Sequence, residues 1–187
     1  MDAIQKNKFK SYRRNLIKFL AIVLIGFSLG LSFHYFGFII NVSQSLPPGI
    51  YRTYKIDRPI TYDDIVVFEI NPELAAFLES RNYQNTKIVT TIMKKVVGLS
   101  GDKFAYKKIG KLMLITKNGE VLGYVHQKDR QNRPLPHKIK GTVTLKDDEF
   151  FVMGDNIVSF DSRYFGTIRR DEIIKFAKPV FTFNIQE

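Results

Sequence analysis

The 187-residue sequence contains no cysteine, so it can form neither a disulfide framework nor a metal site with thiolate ligands. Its three histidines, His34, His126 and His137, are scattered without the spacing of metal ligands. No internal repeat and no low-complexity segment is present. No metal and no cofactor are therefore predicted. With 44% hydrophobic and 13% aromatic residues, the chain can bury the core of one modest domain.

Charged residues are absent from the apolar run Phe19–Ile40. The run matches the about 20 residues that a helix needs to cross a bilayer. It is too long for the apolar core of a cleaved signal peptide, about 7–15 residues, and no small-x-small cleavage site follows it. A spanning helix is therefore predicted, with a cleaved signal peptide and a buried core helix as the alternatives.

Acidic residues are scarce before this run, where Asp2 stands alone against a basic cluster (Lys6, Lys8, Lys10, Arg13, Arg14 and Lys18). The positive-inside rule places such a cluster in the cytoplasm. We therefore predict three parts: a basic cytoplasmic stub at 1–18, irregular or the frayed start of a helix, a transmembrane anchor at 19–40, and an extracytoplasmic domain at 41–187. The protein would span the inner or plasma membrane once.

The net charge of +11 raises the question of a nucleic-acid partner. Membrane orientation and attraction to anionic lipid account for the basic stub. The lipid bilayer is therefore the predicted partner, and no nucleic acid is predicted.

Beyond the anchor the sequence changes to short segments rich in β-branched and aromatic residues. Ile65–Ile70 and Lys87–Val97 predict strands, the second of them the longest in the chain. Asn118-Gly119 is typical of a hairpin turn. Pro72–Ser80 is the one good helical stretch, with proline at its start. The predicted fold class is mainly β, with a single N-terminal transmembrane helix followed by one β domain.

Three patches could contain catalytic groups, and each also has a purely structural explanation. Ser43-Gln44-Ser45 precedes Leu46-Pro47-Pro48-Gly49, which is either a stiff loop that presents a serine hydroxyl or a spacer. In Lys94-Lys95, strand alternation turns one lysine toward apolar neighbours, where desolvation would lower its pKa; the alternative is an edge strand protected by lysines. The third patch, 154–166, is a polar loop in which an aspartate and an arginine lie close together.

Together and in this order, the three patches resemble the type I signal peptidases, which use a serine and a lysine. The resemblance rests on Ser45-Leu46-Pro47-Pro48 after the anchor, on 94–102 (KKVVGLSGD), and on Gly154-Asp155-Asn156 with Ser159 and 161–166 (DSRYFG). The small size and the alternate positions Asn41, Ser43, Ser45, Pro47, Gly49 and Tyr51 are most similar to the TraF-type peptidases of conjugative transfer systems.

The resemblance implies a role for each matching residue. Ser45 would be the nucleophile and Lys94 the general base, while Ser43 and the Ser45 N–H would form the oxyanion hole. Ser159 would hydrogen-bond the lysine amine, and the bracing residues would be Asp155, Asp161 and Arg163. Three departures stand out: Leu46 replaces a common methionine, Ser100 replaces a usual proline, and the loop from Asp155 to Asp161 is one residue shorter.

The implied protein is a signal-peptidase-like β domain that cleaves signal peptides of exported preproteins after small residues, with a conjugative pilin precursor as one candidate substrate. The fold would rest an apolar surface on the membrane. Two other classes stay open. One is a soluble self-cleaving repressor that also uses a serine and a lysine, against which the anchor argues. The other is a catalytically inactive, membrane-anchored binding module of the same fold.

Overall fold

A computed structural model describes residues 3–183, with side chains from residue 12 onward apart from that of His34. Part of the predicted basic stub, Met1, Asp2 and the side chains of Lys6, Lys8 and Lys10, lies outside the described residues. The chain divides into two compact units, Met1–Ile39 and Ile40–Glu187. Strands dominate the second unit, so the predicted mainly β fold class is confirmed.

The first unit consists largely of the helix α1, Ala3–Tyr35. Within it, Tyr12–Phe33 is long and apolar enough to cross a membrane, by length and composition. The basic stub is helical from Ala3, where irregular or frayed chain was predicted, because it contains no proline or glycine and several good helix formers.

The helix also ends earlier than the predicted anchor, at Tyr35 rather than Ile40. Gly37 has a φ of +76°, a left-handed conformation that favours glycine and ends the helix. The β-branched and aromatic residues that follow favour a strand. They form β1, Phe38–Asn41, which contains the point where the two units divide.

The second unit contains ten further strands, two short α-helices and one 3-10 helix, Arg170–Glu172, among the described residues. In chain order its elements are β2 Gly49–Tyr54, β3 Ile65–Glu69, α2 Pro72–Ser80, β4 Thr91–Gly98, β5 Lys103–Ile109, β6 Leu112–Lys117, β7 Glu120–Tyr124, β8 Thr142–Thr144, β9 Glu149–Met153, α3 Ser162–Phe165, β10 Ile168–Arg169 and β11 Ile173–Thr182. The predicted helix Pro72–Ser80 is confirmed, and the Asn71 side chain caps it by accepting from the Leu74 N–H at 3.0 Å.

The prediction that Lys87–Val97 forms the longest strand is wrong. The chain forms a turn in which the Ile88 and Val89 N–H groups donate to the Asn85 carbonyl, so β4 begins only at Thr91. The longest strand is β11, which is central because it pairs with both β2 and β3.

Two antiparallel sheets form the domain. The larger has the neighbours β2-β11-β3-β4-β9-β10, and the smaller has the order β7-β6-β5-β8. Successive residues of β9 belong to two hydrophobic clusters. Val152 packs with Val96 and Phe68 in the first. In the second, Phe151 stacks on Phe104 with ring centroids 4.0 Å apart. β4 and β9 therefore run through the middle of the core, and the candidate lysine lies on β4.

Candidate active site

Ser45 is half-buried in a tight turn between β1 and β2. Its carbonyl oxygen accepts a hydrogen bond from the Asp155 N–H at 2.7 Å. Its hydroxyl oxygen lies 3.3 Å from the Ser159 hydroxyl, which donates to it. The turn is thus held against the loop that follows β9, and two of the three predicted patches meet here.

Lys94 is the buried member of the lysine pair, of which strand alternation predicted one buried member without saying which. It is 4% exposed, whereas Lys95 on the other face is partly exposed and pairs with Asp155, Nζ to Oδ1, at 2.7 Å. Burial lowers the pKa of the Lys94 amine from 10.5 to about 8 because desolvation disfavours the ammonium. The charge of Asp161 opposes this shift and that of Arg163 adds to it.

Gly154 is where the three patches converge. In the β4–β9 ladder Lys95 pairs with Met153, so Lys94 and Gly154 are the next pair in that register and face the same side. A Cβ at Gly154 would overlap the Ser159 hydroxyl and come within 2.6 Å of the Ser45 carbonyl oxygen. Only glycine fits here, and its missing side chain makes room for serine groups on the face that Lys94 occupies.

A buried ion pair fixes the loop around this point. Asp161 and Arg163 are 0% and 1% exposed, and two guanidinium nitrogens, Nε and Nη2, bind the two carboxylate oxygens at 2.8 Å each. The same carboxylate accepts from the Gly154 N–H at 3.0 Å. Asp161 thus holds Gly154 in place as well as its arginine.

The remaining guanidinium N–H groups bind main-chain carbonyl oxygens. Arg163 donates to Ile157 and Tyr124 at 3.0 Å and to Asn156 and Ser159 at 3.2 Å. The Arg163 side chain therefore holds the loop before Asp161 in place, with Ser159 beside Ser45. This loop is one residue shorter than in the family that the sequence resembles, and Ser159 still reaches Ser45.

We expect Asp161→Asn to lower the free energy of unfolding by about 3 kcal/mol, because it keeps the shape but removes the counter-charge of a buried guanidinium. Denaturant unfolding of the full chain in detergent measures this. The control is Asp171→Asn, which breaks the exposed Arg169–Asp171 pair and should change stability by less than about 1 kcal/mol. A loss as small as the control's would contradict a stabilising role for the Asp161 carboxylate.

Ser43, predicted as an oxyanion donor, is exposed and its hydroxyl donates to Asn41 Oδ1 at 2.8 Å. No residue of the described part of the chain accepts a hydrogen bond from the Ser45 N–H. Sequence reasoning did not assign Asn41 a role, although it lies two positions before Ser43 in the noted alternating pattern. The available sequence signal for Asn41 was its short polar side chain, which can hydrogen-bond nearby backbone groups.

Comparison with known families gives the class of protein that this fold and site belong to. The chain belongs to the family described as "Signal peptidase, peptidase S26", whose family model matches residues 13–182. The match includes α1 from residue 13 and nearly all of the β domain.

Individual relatives are of two kinds. A plasmid transfer protein TraF from Escherichia coli is 30% identical over 153 residues, which cover 77% of this chain and 82% of the relative. A conjugal transfer protein TraF from Agrobacterium fabrum is 30% identical over 154 residues, 79% of this chain and 84% of the relative. Signal peptidase I of Bacillus caldolyticus is 28% identical over 126 residues, 62% of this chain and 58% of that enzyme. The resemblance to signal peptidases of the TraF type is thereby confirmed.

Proposed function

We propose that the chain is a membrane-anchored serine endopeptidase that removes signal or leader peptides from exported preproteins. Two observations carry the proposal: the buried Lys94 amine has a pKa of about 8, and the Ser159 hydroxyl donates to the Ser45 hydroxyl at 3.3 Å in the loop that follows the neighbouring strand β9. Burial of an amine costs free energy, so a buried lysine with a lowered pKa is a candidate functional group. Membership of the signal peptidase family supports the same conclusion.

In this proposal Ser45 is the nucleophile and Lys94 the general base. The Ser45 oxygen attacks the scissile carbonyl carbon as its proton passes to the neutral amine. The tetrahedral intermediate then breaks its C–N bond, and the Lys94 ammonium protonates the leaving amine. A water molecule that gives its proton to Lys94 hydrolyses the ester on Ser45 and restores the free enzyme.

The developing negative charge on the substrate oxygen needs preorganised donors. The Ser45 N–H supplies one, since it has no acceptor among residues 3–183. Ser43 supplies the other by turning its hydroxyl from Asn41. Ser159 aligns Ser45 with the lysine, Asp161 and Arg163 hold the loop that carries Ser159, and Asp155 anchors the Ser45 carbonyl through its N–H.

Residues 1–18 would be cytoplasmic, the helical part of 19–40, which ends at Tyr35, would form the anchor, and 41–187 would form the extracytoplasmic peptidase domain. The apolar span Tyr12–Phe33 supports an anchor, and its N-terminal side carries Arg13, Arg14 and Lys18 with the basic residues before them. The positive-inside rule then sets the orientation. The peptidase domain would act on the same side of the membrane as the cleavage sites of exported chains.

The TraF names of the relatives, plasmid transfer and conjugal transfer, indicate the setting. We propose that the substrates include a leader-bearing precursor of a conjugative system, such as a pilin precursor. General exported preproteins are the wider class, as the similarity to signal peptidase I suggests.

The test is cleavage of preproteins by the full chain in lipid vesicles, with the cleavage site mapped by mass spectrometry. We expect one cut after a small residue, and kcat/KM that rises about tenfold per pH unit below pH 8 and levels off above it. The sign follows because a pKa of about 8 leaves Lys94 protonated, and unable to accept the serine proton, at lower pH.

The matched substrate control carries a bulky residue immediately before the scissile bond and should remain uncut. A pH-independent rate between pH 6 and 9 would contradict the role of Lys94 as base. Failure to cut any of a pilin precursor, a general preprotein and their peptides would contradict the peptidase proposal itself.

A further inference from the structure

The Asn41 side chain lies inside the turn that carries Ser45. Its amide nitrogen Nδ2 donates toward three main-chain carbonyl oxygens, those of Ser43 at 3.2 Å, Leu46 at 3.0 Å and Pro47 at 3.2 Å. These carbonyls stand on both sides of Ser45 in the sequence. A single amide group therefore joins the incoming and outgoing arms of the turn, with Ser45 between them.

The amide oxygen of Asn41 binds both hydrogen-bond donors of Ser43. Oδ1 accepts from the Ser43 N–H at 3.1 Å and from the Ser43 hydroxyl at 2.8 Å. The hydroxyl has only one proton, so this bond breaks when Ser43 donates to a substrate oxygen, whereas the N–H bond can stay. Through the N–H bond, Asn41 thus holds the backbone of the residue two positions before the nucleophile.

Other groups hold the same turn from outside. The Tyr51 hydroxyl donates to the Pro47 carbonyl at 2.7 Å, and the Asp155 N–H donates to the Ser45 carbonyl at 2.7 Å. The carbonyls of Ser43, Ser45, Leu46 and Pro47 therefore all have donors, whereas the Ser45 N–H has no acceptor among residues 3–183. Four carbonyls thus hold the turn, and the N–H of the candidate nucleophile stays available to an acceptor from outside it.

We propose that Asn41 is a positioning residue for the oxyanion site: it fixes the shape of the Ser43–Pro47 turn and with it the orientation of the Ser45 peptide. This inference rests on the proposed function, because it needs the Ser45 N–H and the Ser43 hydroxyl to act on a substrate oxygen. Asn41 does not touch the substrate. It acts through Ser43 and through the carbonyls that hold the Ser45 peptide in one orientation.

The proposal predicts a loss in kcat with little change in KM. An oxyanion contact exists only in the transition state, so misplacing its donors leaves substrate binding intact. We expect Asn41→Ala to lower kcat about 10- to 100-fold, the scale of a small misplacement of reacting groups, with KM within about twofold of the native value. The pH midpoint of kcat/KM should not move, since Asn41 is not among the groups that shift the Lys94 pKa.

The matched control is Asn71→Ala, which removes another asparagine that caps a backbone segment, at the start of α2. It should leave kcat per folded molecule unchanged. Amide hydrogen exchange gives a readout that needs no substrate: in Asn41→Ala, exchange at Ser43 should be at least about tenfold faster than in the native chain, while β4 and β9 stay protected.

Asn41→Asp separates the two halves of the contact. It keeps an oxygen acceptor for the Ser43 donors but loses the donor to the three carbonyls and places a negative charge against them. We expect a kcat loss at least as large as for Asn41→Ala. Native kcat in the aspartate variant would overturn the claim that the carbonyl contacts matter.

The inference fails separately from the proposed function. Unchanged exchange at Ser43 in Asn41→Ala overturns the positioning claim even if the native chain cleaves no preprotein. A kcat loss in Asn41→Ala that only follows the loss of folded protein, as the Asn71→Ala control reveals, also overturns it. A native chain that is inactive on every preprotein, with faster exchange at Ser43 in the variant, contradicts the peptidase proposal and the oxyanion role together, and leaves Asn41 as a structural cap only.

Discussion

Lys94→Met should abolish cleavage and at the same time stabilise the protein at neutral pH. Methionine is close to the lysine stem in size and carries no amine, so the core stays filled while the general base is lost. We expect activity to fall at least about 10³-fold, the scale of losing a member of such a dyad. If Lys94 were present only to stabilise the fold, Lys94→Met would instead lower the free energy of unfolding.

The stability gain follows from the pKa of Lys94, lowered by burial from 10.5 to about 8. Below pH 8 both the folded and the unfolded chain bind the proton, and the folded chain carries the full penalty of a buried ammonium, about 3 kcal/mol. Between pH 8 and 10.5 only the unfolded chain holds the proton, so native stability rises with pH. The advantage of Lys94→Met should therefore be largest at pH 7 and decline toward pH 10.

Denaturant unfolding of the full chain at pH 7 and pH 10 measures this difference. Lys95→Met is the matched control, because it removes a lysine from the same strand whose ion pair with Asp155 is partly exposed, and it should change stability by less than about 1 kcal/mol. Lys94→Arg should be inactive too, since a guanidinium does not give up its proton. An active Lys94→Arg enzyme, or a Lys94→Met variant less stable than the native chain at pH 7, would contradict the account of this lysine.

Local patterns in the sequence predict the parts of this structure that depend only on residues close together in the chain. Strand alternation is enough to show that one of Lys94 and Lys95 faces the core, because side chains on a strand alternate by geometry. Proline at its first position likewise marks the start of α2. These features need no information from distant parts of the chain.

The end of the helix α1 is harder to predict, because hydropathy does not distinguish an apolar helix from an apolar strand that continues it. Phe38-Ile39-Ile40 is as apolar as the helix before it, and a left-handed Gly37 separates the two. The division into two sheets is also hidden, since it depends on which strands pair across long separations.

In the candidate site, the resemblance of the three patches to signal peptidases pointed to the serines and the lysine. It did not show how these side chains are held in place. Arg163 binds four main-chain carbonyls, three in the loop after β9 and one at the end of β7, and a carbonyl oxygen carries no sequence signature. The same holds for Asn41, whose five short contacts are all to Ser43, Leu46 and Pro47. Backbone contacts of this kind become visible only in three dimensions.

Ser45→Ala should be folded and inactive. The Ser45 side chain makes one long hydrogen bond, 3.3 Å to Ser159, so its removal should change the free energy of unfolding by less than about 1 kcal/mol. It removes the oxygen that forms the acyl-enzyme, so we expect cleavage to fall at least about 10³-fold, with only the contribution of binding and oxyanion donors left.

The most direct test compares preprotein cleavage by the native chain, Ser45→Ala and the control Ser80→Ala in lipid vesicles at equal folded concentrations. Ser80 is exposed at the end of α2 and its hydroxyl donates to the nearby Phe77 carbonyl, so its loss should leave the rate unchanged. We expect cleavage after a small residue by the native chain and by Ser80→Ala, and none above background by Ser45→Ala. Equal cleavage by all three would show that Ser45 is not the nucleophile.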